Sequence, residues 1–165
     1  MISNLEYFTS GTIFIDSNIF IYANTDTHPL KEVSNNFLIR LDDSQIKGII
    51  NGRIIDEIYH KMLMIEVCNK YRINSNEALS LFKKTPTLLS EFEVPRDTIE
   101  DILDINNLIV SKIDVHTIET ALLFSKYLLF SDAIHVATCK ENGIINMATN
   151  DKDFGKIDFL NMWKP

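Results

Sequence analysis

Residues 13–22 read Ile-Phe-Ile-Asp-Ser-Asn-Ile-Phe-Ile-Tyr, and this stretch decides the fold. Thr12 to Ile15 is a short β-branched and apolar run that stops at Asp16, the signature of a buried strand. The following SNIFIYANT changes to helical spacing with polar interruptions, and PLKEVSNNFLIRL continues as a second helix. A strand feeding directly into helices is the opening of an α/β unit. The unit recurs: Ile46 to Ile50 reads as a strand, and Asn51 is a suitable N-cap for a helix reaching about Tyr71, with Ile54, Ile55, Ile58, Met62 and Ile65 along its apolar stripe.

Farther along, Ser75 to Phe92 predicts an amphipathic helix kinked at Pro86, and Arg96 to Leu108 another, before a strand near Ile109 to Val115. Helices are expected from about His116 to Tyr127 and from near Ser131. Asn142-Gly143 is a stop signal ahead of a strand at Ile144 to Ala148, and a last strand is expected at Ile157 to Leu160. Strands alternating with helices throughout predict a parallel sheet covered on both faces, an α/β fold class.

A length of 165 residues, 45% of them hydrophobic, suits one sizeable core, so the expectation is a single domain over 1–165. The opening MISNLEYFTS lacks the basic and apolar segments of a secretory signal, and no apolar run approaches the roughly 18 residues that span a bilayer. The expected setting is soluble and cytoplasmic, with no membrane. Cys68 and Cys139 fall in amphipathic helices and read as reduced thiols rather than a disulfide or zinc site. A net charge of −7 argues against holding nucleic acid by a general excess of Lys and Arg. It is compatible with a metal nuclease, in which clustered acids bind a cation that itself meets phosphate. With 5 glycines in all, no Gly-rich phosphate loop and no Walker lysine, nucleotide binding is disfavoured. A phosphatase with Asp16 as nucleophile is disfavoured too, because Asp16-Ser17-Asn18 replaces the Asp-x-Asp it would need.

In open parallel sheets ligands sit beyond the carboxyl ends of the strands. Asp16 and Asp151 each follow a predicted strand, although an N-cap role for Asp16 and a turn role for Asp151 account for each singly. Glu57 flanks the stripe of the second unit's helix, with an i,i+4 pair to Lys61 as the ordinary explanation. Asp132 follows the cap candidate Ser131, where complementarity to the helix dipole would suffice. Asp114 reads as the cap of the next helix. His135, one turn beyond Asp132, reads as structural, and the stripe Phe14, Ile15, Ile19, Phe20 and Tyr22 as core rather than a base-stacking platform.

Three blocks together resemble the PIN-domain family, over Ile13 to about Leu160: IFIDSNIFIY at its strand-Asp-Ser-Asn opening, YLLFSDAIHVAT around its third acid, and MATNDKDFGKI at its terminal Thr-x-Asp. The resemblance implies a three-layer α/β/α sandwich with a central, mainly parallel sheet. It implies four acids, Asp16, Glu57, Asp132 and Asp151, that are both catalytic and ligands of Mg²⁺ or Mn²⁺. Glu57 is chosen over adjacent Asp56 because an apolar pair precedes it, and Asp153 is the alternative to Asp151. Ser17, Asn18 and Thr149 are candidates for hydrogen bonds that hold those carboxylates, with ordinary capping equally open. The implied activity is an endoribonuclease hydrolysing RNA phosphodiester bonds, a candidate toxin of a VapC-type toxin-antitoxin pair with an antitoxin partner. Homodimerisation is expected by analogy. Helical material between Ser75 and Leu108 is extra to the compact pattern of such toxins. The competing reading is a PIN-like module that binds RNA or protein without cutting.

Overall fold

A computed structural model describes residues 2–43 and 45–165. Its centre is a six-stranded sheet of β1 (Ile2–Asn4), β2 (Gly11–Ile15), β3 (Ile46–Asn51), β4 (Leu108–Ser111), β5 (Asn146–Ala148) and β6 (Asn161–Lys164), in the order β1-β6-β5-β2-β3-β4 with every neighbouring pair parallel. β2 lies in the middle with Ile13, Phe14 and Ile15 at no measurable exposure, which is why it reads as an unbroken apolar run rather than an alternation.

Helices α1 (Ser17–Ala23) and α2 (Lys31–Asp43) connect β2 to β3; α3 (Gly52–Tyr71), α4 (Ser75–Lys84) and α5 (Val94–Leu103) connect β3 to β4. α1 touches α2 and α3, and α3 packs on α5, so these helices share a face. α6 (Val115–Phe124) and α7 (Phe130–Glu141) pack on each other on the way back from β4 to β5. That return runs in the opposite direction across the sheet, so right-handed crossovers place α6 and α7 on the opposite face. The strand order therefore reverses beside β2, and the carboxyl ends of β2 and β5 form the crevice where open α/β sheets bind ligands.

Both βα units take the expected form. Asn51 caps α3, its side-chain oxygen accepting from the amides of Arg53 (3.1 Å) and Ile54 (3.2 Å). Asp114 caps α6 in a reciprocal box with Thr117. Several expectations are corrected. The predicted helix over Ser75 to Phe92 stops at Lys84, and Pro86 opens a separate 3-10 helix through Glu91. Its neighbour begins at Val94 with Pro95 in the first turn and ends at Leu103, so Leu108 belongs to β4 rather than to the helix. α7 starts at Phe130 with Leu129 in the capping position, so Ser131 is not the cap. The final strand is Asn161–Lys164 rather than Ile157 to Leu160. Ile157 and Leu160 are buried within turns closed by Ile157 N to Phe154 O and Leu160 N to Ile157 O, each 3.1 Å, so apolar burial without strand pairing produced the strand-like signal. β1, pairing with β6 at the sheet edge, has no such signal because it is three residues long and Ile2 is exposed.

The main core gathers side chains from both faces around β2 and β3. A separate small cluster, Leu63, Met64, Val67, Ala78 and Phe92, fastens α4 and the following 3-10 helix to the far half of α3.

Candidate active site

The strand-to-helix turn after β2 places Asp16 at the N-cap position of α1 in extended conformation, yet its side chain makes no capping bond. The carboxylate instead turns toward β5. Its Oδ2 accepts from Thr149 Oγ1 at 2.5 Å and from Asn18 Nδ2, and its Oδ1 accepts from Ser17 Oγ at 3.3 Å. Only 6% of Asp16 is exposed. Burial pushes its carboxyl above the ordinary range; the Thr149 bond and the nearby His135 oppose this, and the Glu57 charge reinforces it.

Glu57, on the second turn of α3, meets the same hydroxyl: Ser17 Oγ lies 3.0 Å from its Oε2. Ser17 thus links the carboxylates of Asp16 and Glu57. The helical partner of Glu57 is Arg53, with Nε 3.3 Å from Oε1, rather than the expected Lys61. Burial alone would raise the Glu57 carboxyl, but His135, Ser17 and Arg53 together hold it below the ordinary range. Adjacent Asp56 points to solvent and pairs with Arg53.

Thr149, fully buried immediately after β5, ties the third part together. Besides donating to Asp16, its Oγ1 accepts from Asn18 Nδ2 at 3.2 Å and from the Asp151 amide at 3.0 Å. Asn18 Oδ1 accepts in turn from the Asn150 amide at 3.4 Å. Asp151 itself is exposed and caps the next turn through the Asp153 amide, 2.8 Å away, while Asp153 pairs with Lys156. Asp132, half-buried in the first turn of α7, has its carboxyl raised by burial and by the charges of Asp151, Glu57 and Asp153, with His135 acting against them.

The structure therefore joins Asp16, Glu57, Ser17, Asn18 and Thr149 by direct hydrogen bonds, and brings Asp132 and Asp151 within electrostatic reach. Among the described residues no three His, Cys, Asp or Glu side chains form a ready-made metal cage. The donors at the site are oxygens, suited to hard cations, and Mg²⁺ characteristically uses one or two carboxylates and keeps several waters rather than filling an all-protein cage. On donor chemistry the residues fit such an ion.

Two features near this network carry more than their sequence reading. His135 is buried, its ring 5.6 Å from that of Phe14, with Nε2 3.4 Å from Glu57 Oε1 and Nδ1 3.3 Å from Asn51 Nδ2. Asn51 also donates to Thr138 Oγ1 at 2.8 Å. The available signal was spacing: His135 lies three residues after Asp132 on one helix face. Its contact with α3 required the sheet to bring the β3–α3 junction against α7. A cleft of about 310 Å³ opens beside Glu57, lined also by Ser17, Ile21, Arg53, Asp56, His60 and Lys61.

Comparison with known proteins agrees with this architecture. The PIN domain family model matches residues 13–160. Ribonuclease VapC2 of Methanocaldococcus jannaschii is 28% identical over 149 residues, 90% of either chain. Among solved structures, the Mycobacterium tuberculosis toxin VapC20, described as cleaving the sarcin-ricin loop, superposes with a TM-score of 0.60 at 13% identity, covering 90% of this chain and 96% of its own. VapBC2 of Rickettsia felis, solved bound to a DNA fragment of its promoter, gives 0.57 at 16% identity, covering 93% and 98%. At these identities the two structures establish the shared fold.

Proposed function

Since the chain belongs to the PIN-domain family, we propose that it is a divalent-metal-dependent endoribonuclease, the toxin of a toxin-antitoxin pair, working at the carboxyl end of β2 and β5. The observation that carries this reading is the junction of Asp16 and Glu57 through Ser17 Oγ, with Thr149 fixing Asp16 from the neighbouring strand. A carboxylate buried to this degree with a neighbouring acid is costly unless a cation compensates it.

In this reading Asp16 and Glu57 are the principal ligands of Mg²⁺ or Mn²⁺, Asp132 completes the site directly or through water, and Asp151 directs a second ion or the attacking water. When bound there, such an ion would supply a more acidic water and charge neutralisation at the leaving oxygen. Ser17, Asn18 and Thr149 hold the carboxylates in one orientation. His60 and Lys61 line the adjoining cleft beside the Arg53–Asp56 ion pair and offer the RNA backbone hydrogen-bonding and cationic contacts. β1, paired with β6, joins the start of the described chain to its end, which supports a single domain over 1–165. The fold shared with VapBC2 of Rickettsia felis supports an antitoxin partner. Exposed Leu122, Leu123, Tyr127 and Leu129, clustered in sequence at the α6–α7 connection, support self-association into a homodimer. Among the described residues no helix is long and apolar enough to cross a membrane.

The test is cleavage of a mixed structured and single-stranded RNA pool with Mn²⁺, Mg²⁺ or EDTA, using wild type, Asp16→Asn and Asp132→Asn. Metal-dependent cutting lost in both folded variants is the expected result. Cutting that persists in both would overturn the assignment and leave the non-cutting binding module.

A further inference from the structure

We propose that His135 is a positioning residue, whose Nε2–H holds the Glu57 carboxylate in its metal-facing orientation through a buried relay that begins at Asn51. The inference rests on the nuclease reading above for what Glu57 does, and on the hydrogen-bond network for how His135 acts.

The relay has one consistent proton assignment. Asn51 Oδ1 accepts from the amides of Arg53 and Ile54, so the oxygen end of its side chain is fixed at the start of α3. Its Nδ2 end therefore faces α7, 2.8 Å from Thr138 Oγ1 and 3.3 Å from His135 Nδ1. Thr138 spends its own hydroxyl hydrogen on Ile134 O at 2.9 Å, so its oxygen is free to accept. With both Asn51 hydrogens committed in this direction, His135 Nδ1 is the acceptor and Nε2 carries the hydrogen.

That Nε2 has no formed hydrogen bond among the described residues, although its side chain is 1% exposed. The acceptor it faces is Glu57 Oε1 at 3.4 Å, while the other Glu57 oxygen is held by Ser17. Buried polar atoms are as a rule hydrogen-bonded, so a buried Nε2 facing a carboxylate is placed to use it. Here one nitrogen is anchored and the other is aimed, at slightly long range, at a carboxylate whose remaining oxygen is already tied through Ser17 to Asp16. Asn51 caps the very helix that carries Glu57, so the cap, the imidazole and the carboxylate are contiguous. Residues behind a metal ligand that fix its orientation commonly govern affinity for the metal as strongly as they govern turnover.

The experiment measures Mn²⁺ binding without RNA, by titration calorimetry, for wild type, His135→Phe, His135→Gln and Asp16→Asn. Metal-free melting temperatures and long-range ¹H–¹⁵N spectra of the wild-type imidazole accompany it. His135→Phe removes the Nε2 donor and also the Nδ1 acceptor of buried Asn51 Nδ2, so its metal-free melting temperature should fall modestly while Mn²⁺ affinity falls about 10- to 100-fold. His135→Gln restores a donor near the Nε2 position and should recover most of that affinity. The spectra should show hydrogen on Nε2. A His135→Phe protein that binds Mn²⁺ like wild type, or a bare Nε2, overturns the His135 role and leaves the nuclease reading standing. Melting temperature and affinity lost together in both His135 variants means a merely structural histidine and also overturns it. Wild type lacking any Mn²⁺ binding that Asp16→Asn abolishes overturns both readings.

Discussion

Removing the charge of Asp16 should leave the protein folded but blind to its metal. In the structure Asp16 Oδ2 accepts from Asn18 and Thr149, and Oδ1 from Ser17. An asparagine fits this network: its oxygen keeps the Asn18 and Thr149 bonds, and its amide donates to Ser17 Oγ, which still donates to Glu57. What disappears is a charge that burial and Glu57 both disfavour. Metal-free Asp16→Asn should therefore melt at or above the wild-type temperature. Metal changes the comparison, because an ion that binds only the folded state at 100 times its dissociation constant adds about 2.7 kcal/mol. For a chain of this length each kcal/mol moves the midpoint by about 2–4 °C, so wild type should gain about 5–11 °C with saturating Mn²⁺. Asp16→Asn, with its central ligand lost, should gain under about 2 °C at the same concentration. Differential scanning fluorimetry with and without Mn²⁺, and EDTA as the reversal, reads both numbers. Equal metal shifts in the two proteins, or a metal-free variant that melts well below wild type, would refute the reasoning.

Thr149→Val keeps the shape of a buried residue and deletes the hydroxyl shared by Asp16, Asn18 and the Asp151 amide; kcat/KM for RNA should fall about 10- to 100-fold while circular dichroism stays unchanged. Metal-free stability should decline as pH rises above 3.8, the ordinary aspartate value, because raised Asp16 and Asp132 keep protons that the unfolded chain has released. Glu57, held low, contributes in the opposite sense and loses its contribution on acidification; urea midpoints across pH should show the decline reduced in Asp132→Asn. Gly48→Val should cost about 1–3 kcal/mol, or about 2–12 °C. A Cβ there would stand 2.8 Å from Ile15 Cδ1 and 3.0 Å from both Leu108 Cδ1 and Leu41 Cδ2, and an unchanged melting temperature would show that the β3 layer can yield.

The parts of the fold legible in the sequence are those in which local chemistry and tertiary demand agree. β2 is apolar because both its faces are covered, and Asn51 caps α3 by its own side chain, so one segment suffices to read each. Ile157 and Leu160 mislead because burial in a turn leaves the same apolar mark as burial in a strand. β1 is silent since edge pairing with β6 is backbone bonding between chain ends, with no side-chain signature. At the site, Asp16 stands out by following a strand. The partner that turns it away from a plain N-cap toward β5 is Thr149, 133 residues away in sequence. Glu57 and Asp56 differ by one position and are separated by which one faces Ser17. His135 reads as structural from its own helix, and nothing local announces that the imidazole of α7 meets the carboxylate of α3.

The small cluster of Leu63, Met64, Val67, Ala78 and Phe92 gives the molecule two tiers of cooperativity. α4 and the 3-10 helix are held to α3 by a handful of apolar contacts rather than by the sheet, so amides over residues 75–92 should exchange through a local opening of lower free energy than global unfolding. The first turns of α3, where Glu57 sits, belong to the main core and stay closed in that event. The appended helices can thus accumulate substitutions, or be loosened, without the carboxylates registering the change.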